Sequence, residues 1–455
     1  MLIDKKTDFD DESWDFDEVD QGLTVREAIA EARRCLNCPK PLCRIGCPIE
    51  NDIPRFIQAL AQGNIGEASA IIAQRSSLPA VCGRVCPHEK QCEAHCILTK
   101  KSCGVRIGKL ERFIADFAAE MGVTASPDAQ AYKGKVAVIG SGPAGLTVAG
   151  DLAKQGFAVT IFEAQPEAGG VLMYGIPAFR LSREVVRREI EKITHLGVEV
   201  RTGVLVGPDI TVDELFAQEY DAIFIGTGTA LPKTLDVPGN DLPGVIQATY
   251  LLSMVNFANS GEFDRREVPI AHGDRVAVIG AGNVAMDAAR TALRLGARSV
   301  TVVYRRTQQD MTALQSEYEQ AAAEGVNFLW LASPVEFRGQ DRVTELDFEV
   351  MQVNSEGKLC PSGEHGTLPV DKIVLAIGQR PAARIVSTTT GIEVSPYGYV
   401  ITKDRPYGMT TRKGVFAGGD VVHEPATVVL AMKEAKKVAA GMALYVEAKK
   451  LLEDC

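Results

Sequence analysis

Nine of the chain's eleven cysteines fall between Cys35 and Cys103, in two groups spaced as metal-binding thiolates are. The first reads Cys35-x2-Cys38-x4-Cys43-x3-Cys47-Pro48; the second reads Cys86-Pro87-x4-Cys92-x3-Cys96, with Cys82 just upstream. Thiolates are soft ligands suited to iron–sulfur clusters or zinc, and a cubane cluster usually takes four. Short spacings let one loop wrap a cluster, and a terminal Cys followed by Pro often serves a neighbouring cluster.

Two glycine motifs follow. Gly140-Ser-Gly142-Pro-Ala-Gly145 comes after the apolar run KVAVI and opens a helical pattern. The first glycine permits the turn, the second lets backbone approach a pyrophosphate, and the third lets helix and strand pack. The helix N-terminus then faces phosphate charge. Glu163 ends the next strand, 23 residues past Gly140, where a carboxylate can hydrogen-bond a ribose diol. Gly169-Gly170 offers small residues where a backbone could pass over the phosphate. The second motif, Gly280-Ala-Gly282-Asn-Val-Ala285, repeats the grammar, but its following strand ends in Arg305-Arg306 instead of an acid. Arginine supplies a fork of donors for a 2′-phosphate, which favours NADP over NAD. A third glycine turn, Ala417-Gly418-Gly419-Asp420, precedes Thr427 and a long closing helix; His423 and Glu424 lie in this turn, where they either cap that helix or tune a bound cofactor. Structural zinc is the alternative use of the cysteines. It leaves unexplained why they precede two nucleotide motifs, whereas an electron wire explains it.

The elements that must hold these residues can be read around them. The 455 residues suffice for about three domains. VREAIAEARR and PRFIQALAQGNIGEASAIIAQR are helical patterns within the cysteine region. Residues 135–163 and 274–306 each read as strand, tight turn, helix, strand, and their similarity is the one internal repeat. Two βαβ units imply parallel sheets covered by helices, an α/β fold. The predicted division is a helical domain over 1–130, a discontinuous dinucleotide domain over 131–245 and 365–455, and a second over 246–364. A net charge of −10 argues against a nucleic-acid partner. No run approaches the roughly 18 apolar residues of a membrane span. The acidic N-terminus has no secretory apolar core and reads as a solvated arm. Clustered cysteines in a large chain without a leader predict a reducing, cytoplasmic setting.

CLNCPKPLCRIGCPIENDIPRFI, LPAVCGRVCPHEKQC and VRIGKLERF resemble the N-terminal module of the glutamate synthase small-subunit family. That module also occurs in dihydropyrimidine dehydrogenases and in the large subunit of bifurcating ferredoxin:NADP oxidoreductases. GGVLMYGIPAFRL, YDAIFIGTGTALPKTLDVPG and the closing GGD segment extend the resemblance over about residues 22 to 445. It implies two Rossmann-like domains, for FAD and NADP, behind a helical domain with two [4Fe–4S] clusters. By it, the ligands interleave: Cys35, Cys38, Cys43 and Cys96 for one cluster, Cys47, Cys86, Cys92 and the carboxylate of Glu111 for the other. Cys82, Cys103, Cys360 and Cys455 have no role in the family pattern and are expected to be packed thiols. The resemblance also gives the first motif to FAD, with Asp420 and Gly419 at its ribityl or pyrophosphate part. The helix after Thr427 then points at the flavin's N1–C2=O edge. Relatives follow the arginine pair with Met-Pro and another arginine, where this chain reads TQQDMTALQ.

The mechanism so implied asks for no catalytic acid or base: hydride passes between nicotinamide and flavin, and single electrons run through the clusters to or from a partner. A thioredoxin-reductase activity would need a CxxC in the second nucleotide domain, which holds only Cys360. A self-contained glutamate synthase or pyrimidine dehydrogenase would need a barrel for which there is no room. The leading expectation is therefore an NADPH-oxidising small subunit of a glutamate synthase. Its alternatives are the large subunit of a bifurcating NADH-dependent ferredoxin:NADP oxidoreductase, paired with a small iron–sulfur flavoprotein, and the electron-input subunit of a pyrimidine dehydrogenase.

Overall fold

The computed structural model describes residues 15–122, 131–355, 357–382 and 384–453. They form two compact units. The larger comprises Asp20–Ile176, Arg180–Leu235 and Ile377–Cys455; the smaller comprises Met1–Val19, Pro177–Phe179 and Asp236–Ala376.

The larger unit begins with six helices: α1 (Val25–Ala32), α2 (Leu42–Gly46), α3 (Ile53–Ala61), α4 (Ile65–Ala73), α5 (Pro79–Val85) and α6 (Ile107–Glu120). Local chemistry starts them. Thr24 and Glu27 form a reciprocal capping box before α1, and Asn64 caps α4. In α3, Ile53, Phe56, Ile57 and Leu60 recur at helical spacing and are buried; Ile107, Leu110 and Ile114 do the same in α6. These stripes meet in one core, and Cys35, Cys43, Cys47, Cys92 and Cys96 pack into or against it.

A Rossmann-like arrangement follows: β1 (Gly134–Ile139), α7 (Pro143–Ala153), β2 (Phe157–Phe162), α8 (Val171–Tyr174), α9 (Arg183–Thr194), β3 (Glu199–Arg201), α10 (Val212–Ala217) and β4 (Ala222–Ile225). The chain leaves the larger unit after β5 (Leu231–Pro232).

The smaller unit carries β6 (Val245–Gln247), α11 (Ala248–Asn259), β7 (Arg275–Ile279), α12 (Asn283–Arg294), β8 (Ser299–Tyr304), α13 (Gln315–Ala323) and β9 (Asn327–Trp330). An antiparallel sheet of β10 (Ala332–Gly339), β11 (Val343–Val353) and β12 (Leu359–Pro369) precedes β13 (Lys372–Leu375). Its five-stranded parallel sheet runs β6-β13-β7-β8-β9. Arg290 of α12 is wholly buried, bonded to Glu324 and stacked over Phe179 with Arg294. The N-terminal arm departs from the solvated expectation where it is described. Phe16 is buried against Phe179, and the Val19 N–H donates to the Phe179 carbonyl, because an aromatic face there is otherwise left for water.

The chain returns through β14 (Gln379–Arg380), α14 (Arg384–Thr388), β15 (Thr402–Asp404), β16 (Tyr407–Thr410), β17 (Val415–Ala417) and α15 (Val428–Glu453). The completed sheet has the order β15-β16-β17-β4-β1-β2-β3, parallel from β17 to β3. Val429, Met432, Ala435, Val438, Ala439, Met442 and Val446 form the buried stripe of α15.

Candidate functional site

In the larger unit, β1 delivers the chain into Gly140 at φ 94°, and a Cβ there would lie 2.7 Å from the Gly226 carbonyl oxygen. A Cβ on Gly145 would lie 2.0 Å from the Gly140 oxygen, so only glycine lets α7 sit this close to the strand. Gly142 is different: a Cβ there would meet nothing within 4 Å. The turn therefore opens onto free space at the N-terminus of α7, the shape and polarity a pyrophosphate needs. Glu163 follows β2, and its Oε2 accepts from Ser141 N and Oγ at 2.9 and 2.5 Å. Ser141 Oγ in turn accepts from Gly169 N at 2.8 Å. Gly170, at φ 54°, would put a Cβ 2.9 Å from Gly142 Cα, so the two glycine turns abut. Ser141 thus ties the carboxylate, the first turn and the second together; its place between two glycines was the only sign of it.

The third turn closes on the same place. A Cβ on Gly419, at φ 75°, would lie 2.9 Å from Ala144 Cβ on α7. Burial pushes the Asp420 carboxyl up to about 6, against the pull of the Ala426 N–H and of His423. Thr427 Oγ1 accepts from Leu430 N at 3.4 Å and caps α15. His423 does not cap; its Nε2 lies 3.2 Å from Glu434 Oε1 one side of the helix, and Glu424 is exposed. Gly140, Gly142, Gly145, Glu163, Gly170, Gly419, Asp420 and Thr427 accordingly all belong to the larger unit, where these three turns gather at the strand ends.

The cysteines divide between two cavities. One, of about 70 Å³, is lined by Cys35, Cys38, Cys43 and Cys96. The other, of about 20 Å³, is lined by Cys47, Cys86, Cys92 and Glu111. Among the described residues no His, Cys, Asp or Glu trio draws together around a single metal ion; the donors ring the cavities instead. Burial pushes the Cys43 and Cys47 thiols up to about 11 and raises Cys35 and Cys92. A hydrogen bond with Cys82, and then burial, raise Cys86. Burial, then the charge of Glu189, lifts Glu111 to about 8, and its partner is Asn51 Nδ2 at 3.5 Å. Thiols and one carboxyl set in two fours around these cavities have the soft, displaceable-proton chemistry that iron–sulfur cluster cores take up on binding.

The second cavity holds residues that spacing alone did not mark. Asn51 Oδ1 and His88 Nε2 are buried without a partner, and burial lowers His88 to about 4. The ring of His88 fills the place a Cβ on Gly108 would take, at 2.3 Å, a signal carried by the glycine of VRIGKLERF. Cys82 also lines it, with its Sγ 3.6 Å from Met432 Sδ, and Val429 of α15 completes the wall. Cys82 is thus packed as expected, but against this cavity. Cys103 differs from expectation: it is exposed, because the chain turns at Gly104 against Thr99 and Cys96 and leaves it facing out. Cys360 is half-buried on β12, and Cys455 lies outside the described residues.

In the smaller unit Gly280 has φ 125°, and a Cβ would lie 2.5 Å from the Ala376 oxygen. Gly282 is open apart from Thr312 Oγ1 at 3.3 Å, and Ala285 is buried in α12. Arg305 and Arg306 stand exposed after β8, without an ion pair among the described residues. The divergent TQQDMTALQ segment folds back here. Thr312 and Ala313 N–H groups donate to the Ala281 carbonyl, and Leu314 N donates to Asn283 Oδ1.

Residues 12–123 match the model of dihydropyrimidine dehydrogenase domain II, 4Fe-4S cluster. Residues 134–435 match pyridine nucleotide-disulphide oxidoreductase. The chain is 38% identical to the glutamate synthase [NADPH] small chain of Halomonas elongata, over 95% of this chain and 93% of that one. It is 34% identical to the NAD-dependent dihydropyrimidine dehydrogenase subunit PreT of Salmonella typhimurium, over 95% and 97% respectively. Among solved structures, FprA of Mycobacterium tuberculosis in complex with NADPH superimposes with a TM-score of 0.58 at 22% identity, covering 71% of this chain and 86% of that one, a likeness of fold. No described helix is long and apolar enough to cross a membrane. With relatives matching from end to end and both halves recognised, the chain belongs to the glutamate synthase small-subunit family of flavin-dependent NADPH oxidoreductases.

Proposed function

We propose that this chain is the NADPH-oxidising small subunit of a glutamate synthase-type enzyme, feeding electrons through FAD and two [4Fe–4S] clusters to a large partner subunit in the cytoplasm. The observation that carries the reading is the division of donors: Cys35, Cys38, Cys43 and Cys96 line one cavity, and Cys47, Cys86, Cys92 and Glu111 line the other. Bound flavin supplies hydride exchange with a nicotinamide and single-electron exchange with iron–sulfur clusters. The chain's own residues do the rest. Gly140, Gly142 and Gly145 make room for the FAD pyrophosphate, and Gly170 closes beside it. Glu163 receives the ribose diol, while Gly419 and Asp420 hold the ribityl end. The N-terminus of α15 after Thr427 favours negative charge on the flavin. Gly280, Gly282 and Ala285 receive the nicotinamide nucleotide, and Arg305 and Arg306 its 2′-phosphate. The domains proposed are 1–130 for the clusters, 131–245 with 365–455 for FAD, and 246–364 for NADP.

A second reading, electron input to a pyrimidine dehydrogenase, is favoured by the PreT relative and by the segment after Arg306, which carries no further arginine up to Ala332. Anaerobic purification from native cells, with partners identified and NADPH compared with NADH, tests both. Recovery with a large amidotransferase subunit, and glutamate formation driven by NADPH, is expected. Recovery with a pyrimidine-reducing subunit and a preference for NADH overturns the first reading, as does recovery with a small two-iron flavoprotein.

A further inference from the structure

Around the first cavity the surface is both apolar and basic. Leu36, Leu42, Ile45 and Ile97 are 61%, 42%, 73% and 45% exposed. Leu36, Leu42 and Ile97 line the cavity mouth itself, and Ile45 stands on α2 one turn beyond Leu42. Leaving four large aliphatic side chains in water at one place costs free energy unless something covers them.

The charge there runs against that of the whole. The chain's net charge is −10, yet residues 32–49 and 94–105, which form this rim, contain six Lys or Arg and no Asp or Glu. Arg34 is spent on Glu31, and Arg44 lies 3.9 Å from Asp52. Arg33, Lys40, Lys100 and Lys101 have no ion pair among the described residues and face outward. An apolar centre ringed by unpaired cations is the anatomy of a protein docking site, with charge setting which partner approaches and in what orientation.

We propose that this rim is the docking face for a partner redox protein whose own centre lies beneath an acidic surface with an apolar middle. The proposal rests on the electron-transfer reading above and names the face and the partner chemistry that the reading leaves open. The second cavity is walled instead by Val429 and, through Cys82, by Met432 of α15, so it looks toward the flavin turn. Electrons cross to the partner at the Cys35, Cys38, Cys43 and Cys96 cavity, whose mouth Leu36, Leu42 and Ile97 line.

The test uses the anaerobically purified full chain with NADPH and acidic ferricytochrome b5 as probe. One NADPH then reduces two ferric haems, yielding NADP⁺, one proton and two ferrous haems. Basic ferricytochrome c and the dye dichlorophenolindophenol are run beside it. The expected b5 rate falls ~10-fold or more between about 20 and about 300 mM salt. Lys100→Glu with Lys101→Glu should lower the low-salt b5 rate by ~10-fold and raise the cytochrome c rate, leaving dye reduction and iron content unchanged. Should the charge reversal cost iron, Lys100→Gln with Lys101→Gln replaces it, with a smaller drop expected. Ile45→Glu should slow b5 reduction as well. Wild-type b5 rates in the charge variants, or a b5 rate indifferent to salt, overturn the docking face. Failure to reduce the dye from NADPH would instead sink the electron-transfer reading itself.

Discussion

Gly142 and Gly145 separate two demands that one fingerprint combines. A methyl group on Gly145 would collide with the Gly140 carbonyl, whereas one on Gly142 would stand in open space. Gly145→Ala is therefore expected to destabilise the fold by about 1–3 kcal/mol, read as a lower unfolding midpoint. Gly142→Ala should leave the midpoint of flavin-free protein unchanged and reduce FAD retention at least ~10-fold, because the methyl occupies the pyrophosphate's space. Equal midpoints for the two variants would contradict this division of labour. Arg305 and Arg306 give a second residue-scale expectation. Replacing both by alanine should raise KM for NADPH by ~10-fold or more and leave KM for NADH nearly unchanged. An equal loss for both nucleotides would assign the pair a structural role instead.

At the scale of elements, the helix pair that steadies the smaller unit hangs on one buried cation. Arg290 on α12 is wholly buried and donates two hydrogen bonds to Glu324, at the end of α13, which also accepts from Arg294. Burial alone would raise the Glu324 carboxyl, but hydrogen bonds from Arg294 and Arg290 hold it down at about 2. A carboxyl depressed below its ordinary 4.5 contributes stability that is fully present above that pH and is lost as pH falls through about 2. Glu324→Gln should cost about 3 kcal/mol at neutral pH and flatten the acid loss between those limits, as measured by denaturant midpoints across pH. The elements were largely legible before the structure. Period-3.6 stripes and glycine fingerprints are local, so α1, α3, α4 and both βαβ units follow from neighbours in sequence. What was not legible depends on residues far apart. The segment SWDF could not tell that Phe16 meets Phe179, nor could CGRVC tell that Cys82 meets Met432, 350 positions away.

For the whole molecule, the decisive quantity is how much metal it carries. The two four-iron clusters proposed per chain predict about 8 irons and about 8 acid-labile sulfides. Glu111→Ala and Cys38→Ser should each lower that to about 4, because each removes a donor from a different cavity. The double variant should approach zero with FAD still bound, while loss of all iron in either single variant would mean one shared site. Spacing alone showed only half of the cavity membership, whereas the family resemblance implied the whole division. Short Cys spacings place Cys35, Cys38 and Cys43 together, but the exchange of Cys47 and Cys96 between groups needs the chain's return after α5. The asparagine and histidine beside Glu111 carry no spacing signature at all.

The ribbon of β5 and β14 pairs Leu231 with Arg380 and Pro232 with Gln379, and Lys233 N bonds to the Gly378 carbonyl. For the Asp236–Ala376 stretch the chain therefore departs from the larger unit and re-enters it through one doorway, with its two jambs already fastened together. A nucleotide half inserted this way is a cassette: Asp236–Ala376 could be exchanged for that of a relative with the opposite coenzyme preference without re-threading the seven-stranded sheet. The graft would have to bring its own fit to Phe179 and Phe16, the aromatic pair that the flanking chain lends to the cassette's core.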